Sequence, residues 1–310
     1  MVNHSRKNKF LVVFIERNIM GLEVVKFKEI KNWVILLAIF LIVFDGLVWH
    51  EIVFNAPNNN SEIYFLNVGQ GDSEMIVLPN NVKVLIDGGP DKKILENISD
   101  VLSHFDRHID LIVMSHPQLD HFGGLIDVLK RYSVGVFIWS GIENNTASFK
   151  ELQKVIEENK ISQIVLREGD KIKYQGDYLE IIYPPKNLSG VKNLNDAALV
   201  LKFTSKSVTA LFTADIGKKI EDYLVKRYDL KSDVLKVGHH GSKYSSAKEF
   251  LAEVSPKISI IEVGKNSYGH PTKEVLARLA DIGSKIFRTD KDGIVKLTFD
   301  NGQIKIFSQR

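Results

Sequence analysis

The sequence predicts an α/β protein in which two mixed β-sheets pack together with helices outside them, preceded by one N-terminal membrane-spanning helix. Three observations carry this prediction. One long apolar run, Trp33 to Trp49, follows a basic tail. Beyond it, strand patterns come in clusters and then alternate with helical ones, twice over, which is the signature of layered sheets and helices. Several of those strands end in Asp or His. At 310 residues, with 44% hydrophobic and 25% charged content, the chain has the material for one large core or two modest ones. The absence of cysteine excludes disulfide frameworks, thiolate metal sites and cysteine nucleophiles, so any metal must be held by His, Asp, Glu, Asn or Gln.

Residues 1 to 31 form a basic tail: Arg6, Lys7, Lys9, Arg17, Lys26, Lys28 and Lys31 outnumber Glu16, Glu23 and Glu29. The formal charge of the whole chain is +3, so the basic excess belongs to the tail and the body has none that would draw it onto nucleic acid. Residues 32 to 50 are the expected membrane anchor. The apolar run spans roughly 25 Å at about 1.5 Å per residue, close to a hydrocarbon core once its flanks are added. Trp33 and Trp49 fall at its edges, where interfacial tryptophans belong, and Asp45 lies near the far end. No Lys or Arg follows Lys31 until Lys83, so the positive-inside rule puts the N-terminus in the cytoplasm and the rest of the chain outside. A cleaved signal peptide is the competing reading. The long basic region and the lack of a small-x-small cleavage site favour an uncleaved anchor.

Residues 51 to 60, containing "NAPNNN", read as a linker, and 61 to 310 as the domain. "EIYFLNVG", "EMIVLP" and "VKVLID" are three strands in succession, which implies an antiparallel start. Then come a helix near 92–105, the strand "IDLIVMS", a helix over 123–132, the strand "VGVFIW" and a helix over 148–158. The second half opens with "SQIVL", "YLEIIY" and the hairpin "AALVLKF"/"SVTALFT". A helix over 217–228, "DVLKVG", "KISIIEVG", a helix over 272–282, "KIFRT" and the hairpin "GIVKLTFDNGQIKIF" complete the chain.

The chemistry concentrates after the strands. "MSHPQLDHFGG" places His116, Asp120 and His121 in an expected loop between strand and helix, and Pro117 keeps His116 out of regular helix. A His-x-His-x-Asp-His loop would put a further imidazole at position 118, which here is Gln118. "KVLIDGG" ends a strand in Asp87, "ALFTAD" another in Asp215, and "VLKVGHHGS" a third in His239 and His240. Each is weak alone, but together they are a set from which rigid strand ends can hold ligands around one ion.

Over residues 62 to 310 the stretches "FLNVGQGDS", "LIDGG", "SHPQLDHFGG", "NDAALVLKF", "LFTAD", "VLKVGHHGS", "NSYGHP" and "RTDKDG" resemble the metallo-β-lactamase fold, specifically the extracytoplasmic C-terminal domain of the ComEC competence DNA-uptake family. The resemblance implies an αβ/βα sandwich with a metal site at the sheet ends. It also implies hydrolysis by metal-activated water and a nuclease acting on DNA beside a multi-helix channel. One apolar run cannot form a pore, so a separate membrane channel protein is the expected partner. Carried over residue by residue, the resemblance makes His116, Asp120, His121, Asp215, His239 and His240 the metal ligands, with Gln118 a weak one. One ion is held well by Asp120, His121, Asp215 and a late histidine, and a second more loosely on His116. Zn²⁺ and Mn²⁺ both suit this nitrogen and oxygen set. Asp120 and His270 are the catalytic candidates, His270 as proton donor or further ligand. Asp72, Asp87 and Asn195 support the site, and Lys243, Asn266 and Tyr268 contact phosphate. Lys236, Lys243, Tyr244, Lys248, Lys265, Arg288 and Lys291 are expected to form a groove for the backbone of DNA. The departures from the family are Gln118, Ala214 in place of glycine and Ala198 in place of serine. They leave two alternatives open: a phosphoesterase for a small or surface-attached substrate such as phosphorylcholine, or a degenerate module that binds DNA or a partner without cutting.

Overall fold

In the computed structural model the described residues are 30–49 and 60–310, apart from 104, 189, 207 and 301. Residues 1–29 of the basic tail (1–31), the last anchor residue, 50, and residues 51–59 of the linker (51–60) lie outside them. The chain divides into two compact units, Met1–Ala56 and Pro57–Arg310. Of the first, the described part is helix α1, Ile30–Trp49, with a mean hydropathy of 2.2 and none of its side chains buried. It is long and apolar enough to cross a bilayer.

The second unit is a four-layer αβ/βα sandwich. Its first sheet has the order β15-β14-β1-β2-β3-β4-β5-β6 and its second β13-β12-β11-β10-β9-β8-β7. The strands of the first are β1 Glu62–Phe65, β2 Glu74–Leu78, β3 Val82–Ile86, β4 His108–Val113, β5 Ser133–Trp139, β6 Ser162–Val165, β14 Val295–Asp300 and β15 Gln303–Ser308. Those of the second are β7 Lys171–Tyr174, β8 Asp177–Tyr183, β9 Val200–Ser205, β10 Val208–Phe212, β11 Val234–Lys236, β12 Ile258–Ile261 and β13 Lys285–Arg288. Both sheets are antiparallel on one side and parallel on the other, with β3 to β6 parallel in the first and β10 to β13 in the second. The expected antiparallel start is present, β1 pairing with β2 and β2 with β3. The C-terminal hairpin does not extend the second sheet but returns to β1.

The two-residue period of a strand explains the layering. Along β2, Ile76 and Leu78 face the second sheet while Met75 and Val77 face the outer helices. Between the sheets, Phe65 stacks on Phe212 and Phe203 lies against Phe299. Helices α2 Lys93–Val101, α3 Leu119–Arg131 and α4 Ala147–Glu158 cover the first sheet. Helices α5 Lys218–Val225, α6 Lys248–Val254 and α7 Lys273–Asp281 cover the second.

The structure corrects several expected boundaries. Helix α2 ends at Val101 rather than 105, and β7 and α6 were not expected at all. More consequential, α3 begins at Leu119 instead of 123, so Asp120 and His121 ride on its first turn. Gly123 and Gly124 read as a helix boundary, yet they lie inside the helix because it passes close to the loop after β3. A Cβ would stand 2.1 Å from the carbonyl oxygen of Pro90 at Gly123 and 2.2 Å from that of Gly88 at Gly124. These glycines serve close approach rather than termination.

Candidate metal centre

Most of the centre's polar side chains leave the carboxyl end of a strand, where an α/β sheet places its ligands. Asp87 follows β3, Ser115 and His116 follow β4, Asp215 follows β10, and His239 and His240 follow β11. Asp87, His239 and His240 hold positive φ angles of 53° each, a backbone conformation that L-residues adopt at a cost and that the surrounding packing must enforce. The first turn of α3 is tied to the same loops, the amide of Gly88 donating to the carbonyl of His121 at 2.6 Å and that of Asp72 to Asp120 at 3.3 Å.

Asp120, His121, Asp215 and His240 each offer one ligand atom, and the four atoms lie within 4.8 Å of one another. Nδ1 of His121 is 2.7 Å from Asp87 Oδ2, and Nδ1 of His240 is 3.0 Å from the carbonyl oxygen of Glu262. Donation through Nδ1 leaves the lone pair of each ring on Nε2. Those Nε2 atoms both stand 3.5 Å from Asp215 Oδ2, and that of His240 is 3.4 Å from Asp120 Oδ2. Donors bonded tetrahedrally at about 2.0–2.1 Å to one cation sit roughly 3.4 Å apart, so the spacing suits a divalent ion. Nε2 of His121, Nε2 of His240 and Oδ1 of Asp215 are buried without a hydrogen-bond partner, which is costly for groups that no ligand completes. The donor set therefore fits a divalent cation.

The electrostatics point the same way. Burial disfavours a charged His240, yet the carboxylates of Asp215 and Asp72 outweigh it and raise its pKa to about 10; His121 is likewise held well above the usual range by Asp215, Asp72 and Asp87. Burial lifts Asp215, but His240 and His121 pull it well below the ordinary carboxylate range. Excess negative charge is thus balanced by protons on two imidazoles, a place that a dication fills equally well. His116 differs: burial, then the charge of His121, lowers it to about 3.

Of the remaining expected residues, His116 is fully buried and stands outside the group of four, its Nε2 3.1 Å from Gln118 Oε1. Gln118, Asn195, His239, Tyr268 and His270 line a cavity of about 550 Å³ that opens onto Asp120, Asp215 and His240. His239 Nε2 is 3.8 Å from Asp215 Oδ2, and its ring centroid is 5.7 Å from that of His270. Burial, then the neighbouring His239 and His240, lowers the pKa of His270, which makes it a neutral imidazole near pH 7 and a poorer proton donor than expected. Asp72 lies beneath the centre, its Oδ1 3.1 Å from His240 Nδ1.

Four of the expected substrate-contact residues are engaged elsewhere. Asn266 uses its amide within its own loop, donating to the carbonyls of Gly264 and His270 and accepting from the amides of Tyr268 and His270. Lys243 stacks over the Tyr244 ring and is not among the residues lining the cavity. Lys236, expected in a DNA groove, is buried and ion-paired with Asp72, while Arg288 is paired with Asp290. Lys236 is thus an internal cation, and Ser115, Glu74 and Glu262 are buried participants that motif reading passed over. A signal existed: a Lys in "DVLKVG" and a Glu in "SIIEVG" interrupt strands that are otherwise apolar, and a charge at such a position requires a partner.

Fold and centre together define a metallo-β-lactamase-fold protein with a candidate divalent-metal site. The metallo-β-lactamase fold protein YhfI from Bacillus subtilis superposes with a TM-score of 0.52 at 9% identity, over 76% of this chain and 99% of that one. Tm1679, a metal-dependent hydrolase of the β-lactamase superfamily, does so with 0.51 at 13% identity, over 76% and 98%. No family model matches the chain. Within this fold the chain is similar in sequence to curated competence proteins. It is 28% identical to ComE operon protein 3 of Bacillus subtilis over 271 residues and 30% identical to Competence protein ComA of Neisseria gonorrhoeae over 255, each match covering 80% of this chain and 34% of the relative. Recombination protein 2 of Haemophilus influenzae aligns over 98% of the chain at 24% identity and 36% of its own length. The chain spans about a third of the length of the relatives it matches.

Proposed function

We propose that the chain is a membrane-anchored, metal-dependent phosphodiesterase, a nuclease acting on DNA outside the cytoplasm in a competence-related setting. The observation that carries this reading is the group Asp120, His121, Asp215 and His240, with its unpartnered Nε2 atoms, beside an open cavity. Homology to competence proteins supports DNA as the substrate and a separate channel as partner, and the charge bias around α1 supports an outward-facing domain.

A divalent cation bound there supplies Lewis acidity and lowers the pKa of water at the centre. The chain's own groups do the rest. Asp87 and the Glu262 carbonyl hold His121 and His240 by Nδ1 and keep both Nε2 atoms aimed at the same oxygen of Asp215. Asp120, partly exposed between cluster and cavity, is placed to accept a proton from the attacking water. His270, neutral and with Nδ1 unpartnered, is placed to hydrogen-bond the departing oxygen, and the open cavity admits water to protonate it.

The test uses the full chain in detergent, stripped of metal and reloaded with Mn²⁺ or Zn²⁺, with labelled DNA as substrate. Metal-dependent cutting that Asp120→Ala abolishes is expected. Bound metal without cutting of any DNA refutes the nuclease.

A further inference from the structure

The cavity lining beside Asp120 and Asp215 has an unusual composition. Besides the histidines it is lined by four amide side chains, Gln70, Gln118, Asn193 and Asn195, and among its described lining residues there is no Lys or Arg. A pocket shaped for phosphate groups alone recruits guanidinium or ammonium donors. Amides instead offer one donor end and one acceptor end, which matches the hydrogen-bonding edge of a nucleobase.

Two of these amides are poised for such an edge. Asn195 is 7% exposed, and its Oδ1 is buried without a hydrogen-bond partner. A buried, unsatisfied carbonyl oxygen is stabilised when a ligand brings an N–H to it. Gln118 has Oε1 engaged at 3.1 Å from His116 Nε2, which leaves its NH₂ group for the cavity. The wall therefore presents one acceptor and one donor.

Tyr268 supplies a face. Its ring lies on the cavity lining yet is 73% exposed. It is backed by the His270 ring, 5.7 Å away and tilted by 31°. The clamp made by Asn266 fixes the loop through the Tyr268 and His270 amides and the Gly264 and His270 carbonyls. An exposed aromatic ring on a rigid, hydrogen-bonded loop is a stacking platform, the device by which proteins hold unpaired bases.

We propose that this cavity receives one unpaired nucleotide, its base stacked on Tyr268 and its edge bonded by the amides of Gln118 and Asn195, so that the substrate is single-stranded DNA. The proposal rests on the nuclease reading above and narrows it. In a duplex both faces of each base are stacked and the pairing edge is occupied, so a base must be unstacked and unpaired before it enters.

The experiment compares three substrates of equal length for the full chain in detergent with Mn²⁺: a single strand, the blunt duplex, and an abasic single strand with the same backbone. Wild-type protein is expected to cut the single strand at least about tenfold faster than either of the others. Tyr268→Ala is expected to raise KM on the base-bearing strand by about 5- to 150-fold while Tyr268→Phe keeps the wild-type value. Binding of the labelled single strand to metal-free protein, read by fluorescence polarisation, should weaken by the same factor in Tyr268→Ala. Equal cutting of abasic and base-bearing strands, or a Tyr268→Ala protein within twofold of wild type in both readouts, overturns the base subsite and leaves the nuclease standing. No cutting of any of the three overturns the nuclease and this proposal with it.

Discussion

Replacing Lys236 by methionine tests whether the centre is built on an internal cation. Lys236 is 1% exposed at the end of β11, its ammonium group paired with the Asp72 carboxylate, donating to the carbonyl of Ala214 at 3.1 Å and lying 4.0 Å from Asp215 Oδ1. Burial disfavours the charged amine, but Asp72, Asp215 and two buried glutamates outweigh it and raise its pKa above the ordinary value. A raised lysine contributes stability that is full below its unfolded value and is lost only above that, so the pair is intact at pH 7. Methionine keeps the length and most of the volume, which leaves no cavity. What it leaves is a buried Asp72 carboxylate with only His240 and His121 to face. Removing one partner of a buried pair costs about 3–5 kcal/mol, and the nearby His240 places this case at the lower end. With a urea slope of about 2–3 kcal/mol per molar, the midpoint should fall by about 1 M. The assay is urea unfolding of residues 57–310, the unit that contains all three hydrophobic clusters, followed by tryptophan fluorescence. The double variant Lys236→Met with Asp72→Asn removes both charges and should recover most of the loss. A single variant within about 1 kcal/mol of wild type, or a double variant no more stable than the single, would mean that the Lys236–Asp72 pair does not hold the centre together.

Metal content is the second prediction: dialysis against Zn²⁺ or Mn²⁺ should load one tightly held ion per chain, lost in Asp215→Asn or His240→Ala. At about a hundredfold excess over Kd that ion should stabilise the fold by about 2.7 kcal/mol; a melting temperature indifferent to both metals contradicts the centre. Third, stability of the metal-free protein should fall from pH 7 to 9. Burial pushes Glu74 up to about 8, and His240, at about 10, is raised as well. Groups raised above their unfolded values stabilise the fold while protonated and lose that contribution as pH climbs through the folded value. Glu74→Gln should flatten the slope, and a urea midpoint constant over this range counts against a buried carboxyl there. Fourth, Gly71→Ala puts a Cβ 2.2 Å from the carbonyl oxygen of Asp120 at a φ of +153°. It should cost about 1–3 kcal/mol and weaken metal binding by shifting the turn that bears Asp120 and His121. Gly69→Ala, with nothing within 4 Å of its Cβ but a φ of +93°, carries backbone strain without the clash; it is the control for strain and should leave metal affinity intact.

The layer order, the apolar helix and the strand ends that carry Asp and His are all legible in the sequence. Each of those depends on a local period or a local residue: apolar alternation along β1 to β3, an apolar run broken only by Asp45 and Gly46, an Asp or His placed just after a strand. Gln118 was also legible as a departure, because the motif around it has fixed spacing. Tertiary structure alone decided which histidine joins the group of four. His239 and His240 are neighbours with almost the same backbone angles, and only the packing of β11 against β12 turns His240 inward onto the Glu262 carbonyl. It also decided that Lys236 is an internal counterion rather than a DNA contact, since its partner Asp72 lies 164 residues away in the chain. The start of α3 at Leu119 is not legible locally for the same reason, because Gly123 and Gly124 answer to backbone from the loop after β3 and not to their sequence neighbours. Local pattern sets which face of an element is apolar. The partner of a buried charge or a close glycine is set by long-range packing, where a burial penalty is relieved only by whatever group the other layer brings within a few ångströms.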